Sequence, residues 1–296
     1  MTQDSLTPDV AAFLDAVVRE GKSPQTLSAY RADLRLFAGW FVVSNGEAFA
    51  AEAVTPTDIR RFRAYQQANR QLKPATVNRR LTTLHRFFHW AEATGRVDRD
   101  PTDDIDGVAA VPSPPRWLER QDLNRLTRAV ERRGILRDVA ILQLLRHTGI
   151  RVGELCALTR DDIEIGERSG KVIVRSGKGN KYREVPLNLH ARKAVHLYLD
   201  ETRPVTTHPQ VFIGQRGPLT ERAVQLIVRK YADLAGLDDV TPHTLRHSFG
   251  KMLVDEGERI TVVAALLGHE NLKTTMLYTQ PGREDLAAAV AKLESL

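Results

Sequence analysis

Several residues in the carboxy-terminal half of the chain have types and spacings suited to chemistry on a phosphate ester. In Thr241-Pro242-His243-Thr244-Leu245-Arg246 the threonine reads as a helix cap and the proline as the first helical residue. His243 and Arg246 therefore fall three apart on one face, in the opening turns of a helix whose unpaired N–H groups and positive dipole end favour an anion. In Thr148-Gly149-Ile150-Arg151-Val152-Gly153-Glu154 a glycine closes one helix, and the next turn carries Arg151 and Glu154, again three apart. A guanidinium offers a planar fork that matches two phosphate oxygens, and a nearby carboxylate can hold that fork in place. Lys178 stands in Ser176-Gly177-Lys178-Gly179-Asn180-Lys181, a turn whose glycines allow close approach to a ligand, with Lys181 its nearest rival. Gly268-His269 ends an apolar run, and nine residues later comes Tyr278. Taken singly, each motif reads as well as a capped helix, a surface ion pair, a turn lysine or a half-buried tyrosine. Their force comes from standing in one order within one segment.

These residues must be positioned by elements that the apolar pattern outlines. Leu27, Tyr30, Leu34, Phe37 and Phe41 recur at steps of 3 and 4 behind a Ser23-Pro24 start signal, which predicts a helix. Thr55-Pro56 opens a second such run through Ile59, Phe62 and Tyr65, and Lys73-Pro74 a third through Val77, Leu81, Leu84, Phe88 and Ala91. With a shorter helix near Val10, Phe13, Leu14 and Val17, residues 8 to about 96 read as a four-helix unit. Residues 99–116 hold four prolines and no sustained period, so they are the expected linker between a domain at 1–98 and one at 117–296. The second domain opens with helices carrying Leu123, Leu126 and Val130, then Val139, Leu142 and Leu145, the latter ending at Gly149. Residues 171–187 change to strand grammar around a Gly-rich turn and predict a hairpin with Lys178 at its tip. Helical pattern resumes over 224–234 and 245–254, and Leu286, Val290 and Leu293 suggest a short amphipathic tail helix.

Bulk composition narrows the partner. A formal charge of +6 favours a polyanion. The first 100 residues hold 14 Lys and Arg against 11 Asp and Glu, and the rest hold 29 against 26, so the basic excess is spread along the chain. One cysteine, Cys156, excludes a disulfide framework and a multi-cysteine zinc site. The amino terminus has no basic and apolar leader and no long apolar run follows, so a cytoplasmic protein without membrane association is expected.

The motifs in this order resemble the tyrosine recombinase (integrase) family, most closely its Xer-type members. GIRVGELCALTRDDI is similar to the first family signature, GKGNKYREVPL to its β-hairpin, and HTLRHSFGKMLVDEG with LLGHENLKTTMLYT to the second signature and the nucleophile segment. SPQTLSAYRADLRLF and ATVNRRLTTLHRFF resemble the core-binding helices, so the likeness covers nearly the whole chain. It implies a mainly α protein with a small β-sheet in an α+β catalytic domain, and an amino-terminal four-helix, SAM-like core-binding domain, the two forming a C-shaped clamp on double-stranded DNA. It also implies a catalytic set of Arg151, Lys178, His243, Arg246, His269 and Tyr278, with Glu154 in support. Two positions depart from the usual pattern, Tyr182 after the hairpin lysine and the pair Gly250-Lys251, and neither belongs to that set.

Under this resemblance Tyr278 attacks the phosphodiester to leave a 3′-phosphotyrosine. Arg151 and Arg246 neutralise the charge that a metal ion handles elsewhere, so no metal and no cofactor are expected. A free phenol with a pKa near 10 needs a base, for which His243 is the candidate. Lys178 is the candidate acid for the leaving 5′ oxygen, and His269 donates a hydrogen bond to the phosphate. No G-x-x-x-x-G-K-[ST] motif is present, in keeping with bond energy stored in the covalent intermediate. Strand exchange implies four protomers, as a homotetramer or a heterotetramer with a related recombinase, with the tail helix docking on a neighbour. Arg79, Arg80 and Arg86, largely off the apolar face of the fourth helix, are the candidate DNA contacts of the first domain. Only about twenty residues precede the Ser23 cap, which leaves no room for an arm-binding domain and favours short core sites. A type IB topoisomerase-like enzyme and a DNA-binding regulator without catalysis are the alternatives.

Overall fold

Proline stands at the first position of each described α-helix in the amino-terminal unit, where its missing N–H costs nothing and its fixed φ suits the helix. The structure, a computed structural model, describes residues 7–68, 70–109, 116–175, 182–269, 271–279 and 290. The hairpin turn with Lys178 and Lys181, and the tail helix apart from position 290, lie outside the described residues. The chain divides into two units, Met1–Ser113 and Pro114–Leu296.

The first unit contains α1 (Pro8–Arg19), α2 (Pro24–Asn45), α3 (Pro56–Ala68) and α4 (Pro74–Ala93). The Ser23 hydroxyl accepts from the Thr26 N–H at 3.2 Å and so caps α2. Asp58 closes the start of α3, accepting from the Thr55 N–H at 3.0 Å and the Thr55 hydroxyl at 2.7 Å. Between the helices lies a core of phenylalanines: Phe37 and Phe62 pack edge to face at 5.0 Å, as do Phe87 and Phe88 at 5.0 Å. Each buried ring of this kind contributes roughly 1.5–3 kcal/mol of transfer free energy. The segment 99–116, read from its prolines as linker, begins by packing on this same core. Ile105 is buried in it beside Val97, and the Asn78 side chain bonds both the N–H (2.7 Å) and the carbonyl (2.9 Å) of Val108.

The second unit opens with α5 (Arg120–Arg133), α6 (Leu136–Thr148) and α7 (Val152–Ala157). An antiparallel sheet follows, β1 (Ile163–Ile165), β2 (Gly170–Val174) and β3 (Arg183–Pro186), with Val172 opposite both Ile163 and Val185. Next come α8 (Leu189–Leu197), a small hairpin of β4 (Ile213–Gly214) and β5 (Gly217–Pro218), and α9 (Glu221–Leu234). The unit continues through α10 (Pro242–Asp255), α11 (Ile260–Leu267) and α12 (Leu272–Met276), with a 3₁₀ turn at Leu277–Thr279. The expected hairpin strands are β2 and β3. β1, β4 and β5 were not anticipated, because two or three residues are too few to show a period. α6 buries Ala140, Ile141, Leu142, Leu144 and Leu145 on several faces, so the other helices pack around it and its two ends are fixed. One of those ends builds the site.

Candidate active site

Helix ends supply most of this site. α6 stops at Gly149, whose φ of 60° is a left-handed cap. A Cβ there would stand 2.4 Å from the Phe249 ring and 2.9 Å from Leu267, so glycine is required on both counts. α11 stops in the same way at Gly268, φ 65°. Arg246, on the second turn of α10, is 3% exposed and spans these two ends. One Nη donates to the carbonyl of Gly149 and the other to that of Leu267, each at 2.6 Å. Carbonyls at helix carboxy termini carry negative dipole character and hold a cation without neutralising it. Burial, and then the charge of Arg151, lowers Arg246 to about 10, so the guanidinium remains protonated at neutral pH.

Arg151 sits at the start of α7 with its side chain partly exposed. Its Nη1 donates to Glu154 Oε1 at 2.9 Å, its N–H to Oε2 at 2.7 Å, and its Nη2 to the Gly268 carbonyl at 3.1 Å. Glu154 therefore holds the fork as its spacing suggested, but it does not hold Arg151 alone. Arg183 of β3 meets the same carboxylate end-on, Nη1 to Oε1 at 2.9 Å and Nη2 to Oε2 at 2.7 Å, while its Nε reaches the Leu266 carbonyl at 3.0 Å. Burial alone would raise the Glu154 carboxyl. The bonds from Arg183 and from the Arg151 backbone override this and bring it down to about 2.

Tyr278, in the 3₁₀ turn after α12, is 1% exposed. Its ring lies against Gly250 of α10, where a Cβ would come within 2.7 Å of the ring, so the glycine that departs from the family pattern makes room for the tyrosine. The phenol oxygen is 2.9 Å from Nδ1 of His247. Burial raises the Tyr278 phenol and the Arg246 charge pulls it back down. His247 in turn meets His243 edge to face at 4.2 Å between ring centroids, and His269 lies parallel to Tyr278 at 6.3 Å. The Nδ1 of His269 is 2.9 Å from the hydroxyl of buried Thr275, which sets the ring's orientation. All three histidines are pushed down, first by burial and then by neighbouring charges, His247 and His269 to about 4. They are neutral at pH 7.

The structure thus brings Arg151, Glu154, His243, Arg246, His269 and Tyr278 to one place, and Lys178 lies outside the described residues. Sequence reasoning missed two participants. Arg183 is in phase with buried Val185 on β3, and a charged residue on the inward face of a strand was a legible signal. His247 stands one helical turn after His243, on the face that carries Arg246 and Gly250. It is His247, not His243, that bonds the Tyr278 oxygen. In the first unit, Arg79 is bound to Asp33, with one bond at 2.8 Å. Arg80 donates to Gln66 at 2.9 Å and stands 3.7 Å from Asp33. Arg86 pairs with Glu20. The side chains of Arg79 and Arg86 are 50% and 40% exposed and that of Arg80 only 20%.

Two arginines, a supporting carboxylate, two histidines and a buried phenol, gathered on a helical unit with two small antiparallel sheets, are a set suited to binding a phosphate ester. The sequence profile of the phage integrase family matches residues 116–284, and that of the phage integrase N-terminal SAM-like domain matches residues 10–95. The chain belongs to the phage integrase family and is a tyrosine recombinase. It is 34% identical over 291 residues to tyrosine recombinase XerD of Ralstonia nicotianae, covering 95% of this chain and 92% of that one. To tyrosine recombinase XerC of Thermodesulfovibrio yellowstonii it is 35% identical over 282 residues, covering 91% and 90%. Its fold is similar to that of the XerH site-specific recombinase in a post-cleavage complex with a palindromic difH substrate, at a TM-score of 0.75 and 22% identity over 91% of this chain and 80% of that one.

Proposed function

We propose that Tyr278 is the nucleophile of this site-specific recombinase and forms a 3′-phosphotyrosine with one strand of double-stranded DNA. The observation that carries the reading is the buried Tyr278 phenol in the field of Arg246, in a pocket whose arginines are oriented before any substrate arrives. Attack builds charge on the non-bridging oxygens, and preorganised donors are most effective against charge that develops in the transition state. Arg151 and Arg246 bind those oxygens, with His243 beside them. A Thr275 hydroxyl donating to Nδ1 of His269 leaves that ring's Nε2–H free to donate to the phosphate. Lys178 protonates the leaving 5′ oxygen. A 5′ hydroxyl from another strand then reverses the step. Exchange takes place among four protomers, alike or paired with a related recombinase, and the tail helix links neighbours.

Both units contact DNA, in the cytoplasm and on the nucleoid. In the first unit the half-exposed guanidiniums of Arg79 and Arg86 turn to backbone phosphates, Arg79 from buried Asp33 and Arg86 from half-exposed Glu20, while Arg80 holds the helices together. The test is enrichment, under denaturing conditions, of DNA covalently attached to protein from cells expressing wild type or Tyr278→Phe, followed by sequencing. DNA at a defined site in wild type and none in the variant supports the reading. Indistinguishable samples, with DNA binding confirmed, would sink it.

A further inference from the structure

His247 is the only residue among the described ones that hydrogen-bonds the Tyr278 oxygen, at 2.9 Å through Nδ1. We propose that His247 is the general base that takes the proton of Tyr278 during strand cleavage. The proposal rests on the reading of Tyr278 as nucleophile. Three features of the arrangement support it. A side chain must be within hydrogen-bond reach of the proton it removes, and His247 already is. Its lowered pKa keeps it neutral, so with the proton on Nε2 the Nδ1 lone pair is free to accept from the phenol. Tyr278 itself is 1% exposed, with Gly250 of α10 and the His269 ring against it, so a side chain already in contact is the nearest proton acceptor.

The groups facing this pair are His243 and Arg246 on α10, His269 between α11 and α12, and Arg151 and Arg183 beyond it. Without substrate their positive field disfavours a charged His247. An incoming phosphodiester offsets part of that field and raises the basicity of the imidazole at the moment a base is needed. As Oη bonds to phosphorus, the Oη–H bond breaks and Nδ1–H forms, giving an imidazolium. The P–O5′ bond breaks, and that oxygen takes a proton from the acid on the opposite side. In rejoining, a 5′ hydroxyl attacks and His247 returns its proton to Tyr278. His243, at the exposed start of α10, is then free to bind the phosphate rather than the phenol.

The test uses the full-length enzyme and a nicked duplex bearing the sequence recovered with wild-type covalent complexes, scored for single-turnover attachment across pH. His247→Asn keeps an acceptor near the Nδ1 position but cannot take up a proton, and His247→Ala removes both. Both variants should lose about 100-fold or more in rate with DNA binding unchanged. His247→Asn should also lose the acidic limb of the pH profile, which His243→Asn should retain. Wild-type rate in His247→Asn, or faster attachment in either variant, would overturn the proposal and reduce His247 to a holding contact. Imidazole ¹⁵N spectra of wild type and Tyr278→Phe test the bond without DNA. The Nδ1 signal of His247 should shift, and an unchanged signal would overturn the proposal even if the alanine variant fails to fold. Absence of covalent DNA from wild type, with that shift present, would count against Tyr278 as nucleophile and so remove the base's role with it.

Discussion

Replacing Glu154 by glutamine keeps the volume of the side chain and removes the charge to which Arg151 and Arg183 are both bound. The carboxyl is held at about 2 in the folded protein against 4.5 for the free group. At about 1.4 kcal/mol per pH unit, that gap corresponds to roughly 3 kcal/mol of stability. No discount for solvent screening is needed, because the Glu154 side chain is 4% exposed. Folding depresses this pKa, so the stabilisation is complete above the unfolded value of 4.5 and disappears as pH falls from there toward 2. Urea unfolding of wild type and Glu154→Gln near neutral pH should therefore differ by about 3 kcal/mol, and the difference should shrink by about 1 kcal/mol near pH 3.5. The same variant should release the Arg151 fork and slow covalent attachment to DNA. A difference below about 1 kcal/mol at neutral pH, or one that does not change between the two conditions, would refute the argument that the arginines hold this carboxylate.

Gly149→Ala and Gly134→Ala both place an alanine at positive φ, but only the first brings its Cβ against neighbours, at 2.4 Å from Phe249. Gly134→Ala should cost about 1 kcal/mol and Gly149→Ala about 2 kcal/mol more in thermal or urea unfolding, and equal costs would argue against a tight junction between α6, α10 and α11. Gly250→Ala drives a methyl to within 2.7 Å of the Tyr278 ring, so covalent attachment should fall about 10-fold or more while DNA binding, read by fluorescence anisotropy, holds. Arg79→Ala and Arg86→Ala should each lower the slope of log affinity against log salt by about 1, whereas Arg80→Ala should leave the slope alone and lower the melting temperature of the first unit.

How far the sequence could be read follows the range of the forces involved. Caps and breaks act within a few residues, so the starts of α2, α4 and α10 and the end of α6 are legible from Ser23, Pro74, Thr241 and Gly149. Contacts across elements are not. Arg183 reaches Glu154 over 29 residues and His247 reaches Tyr278 over 31, and no local period encodes either meeting. The direction of the Tyr278 phenol depends on the space left by Gly250, which only packing reveals. The segment 99–116 shows the converse. Its prolines and lack of period read as linker, yet Ile105 and the Asn78 bridge to Val108 tie its first part to the first core without regular structure.

The choice of partners for the arginines explains why this pocket suits a phosphate. Had Arg246 been paired with a carboxylate, its charge would be cancelled before substrate arrived. Main-chain carbonyls at two helix ends orient it and leave the full charge available. Arg151 and Arg183 share the single carboxylate of Glu154, so three guanidiniums stand against one anion. With the histidines neutral, the cluster carries two net positive charges. A phosphodiester brings one negative charge, and the five-coordinate species formed by attack of a phenolate brings two. The pocket is therefore matched in charge to the species along the reaction rather than to the substrate at rest, which is the condition for binding to accelerate chemistry. It also explains why Glu154 must be buried and clamped: a carboxylate free to swing toward Arg246 would leave the net charge unchanged but cover the guanidinium that is otherwise open to phosphate.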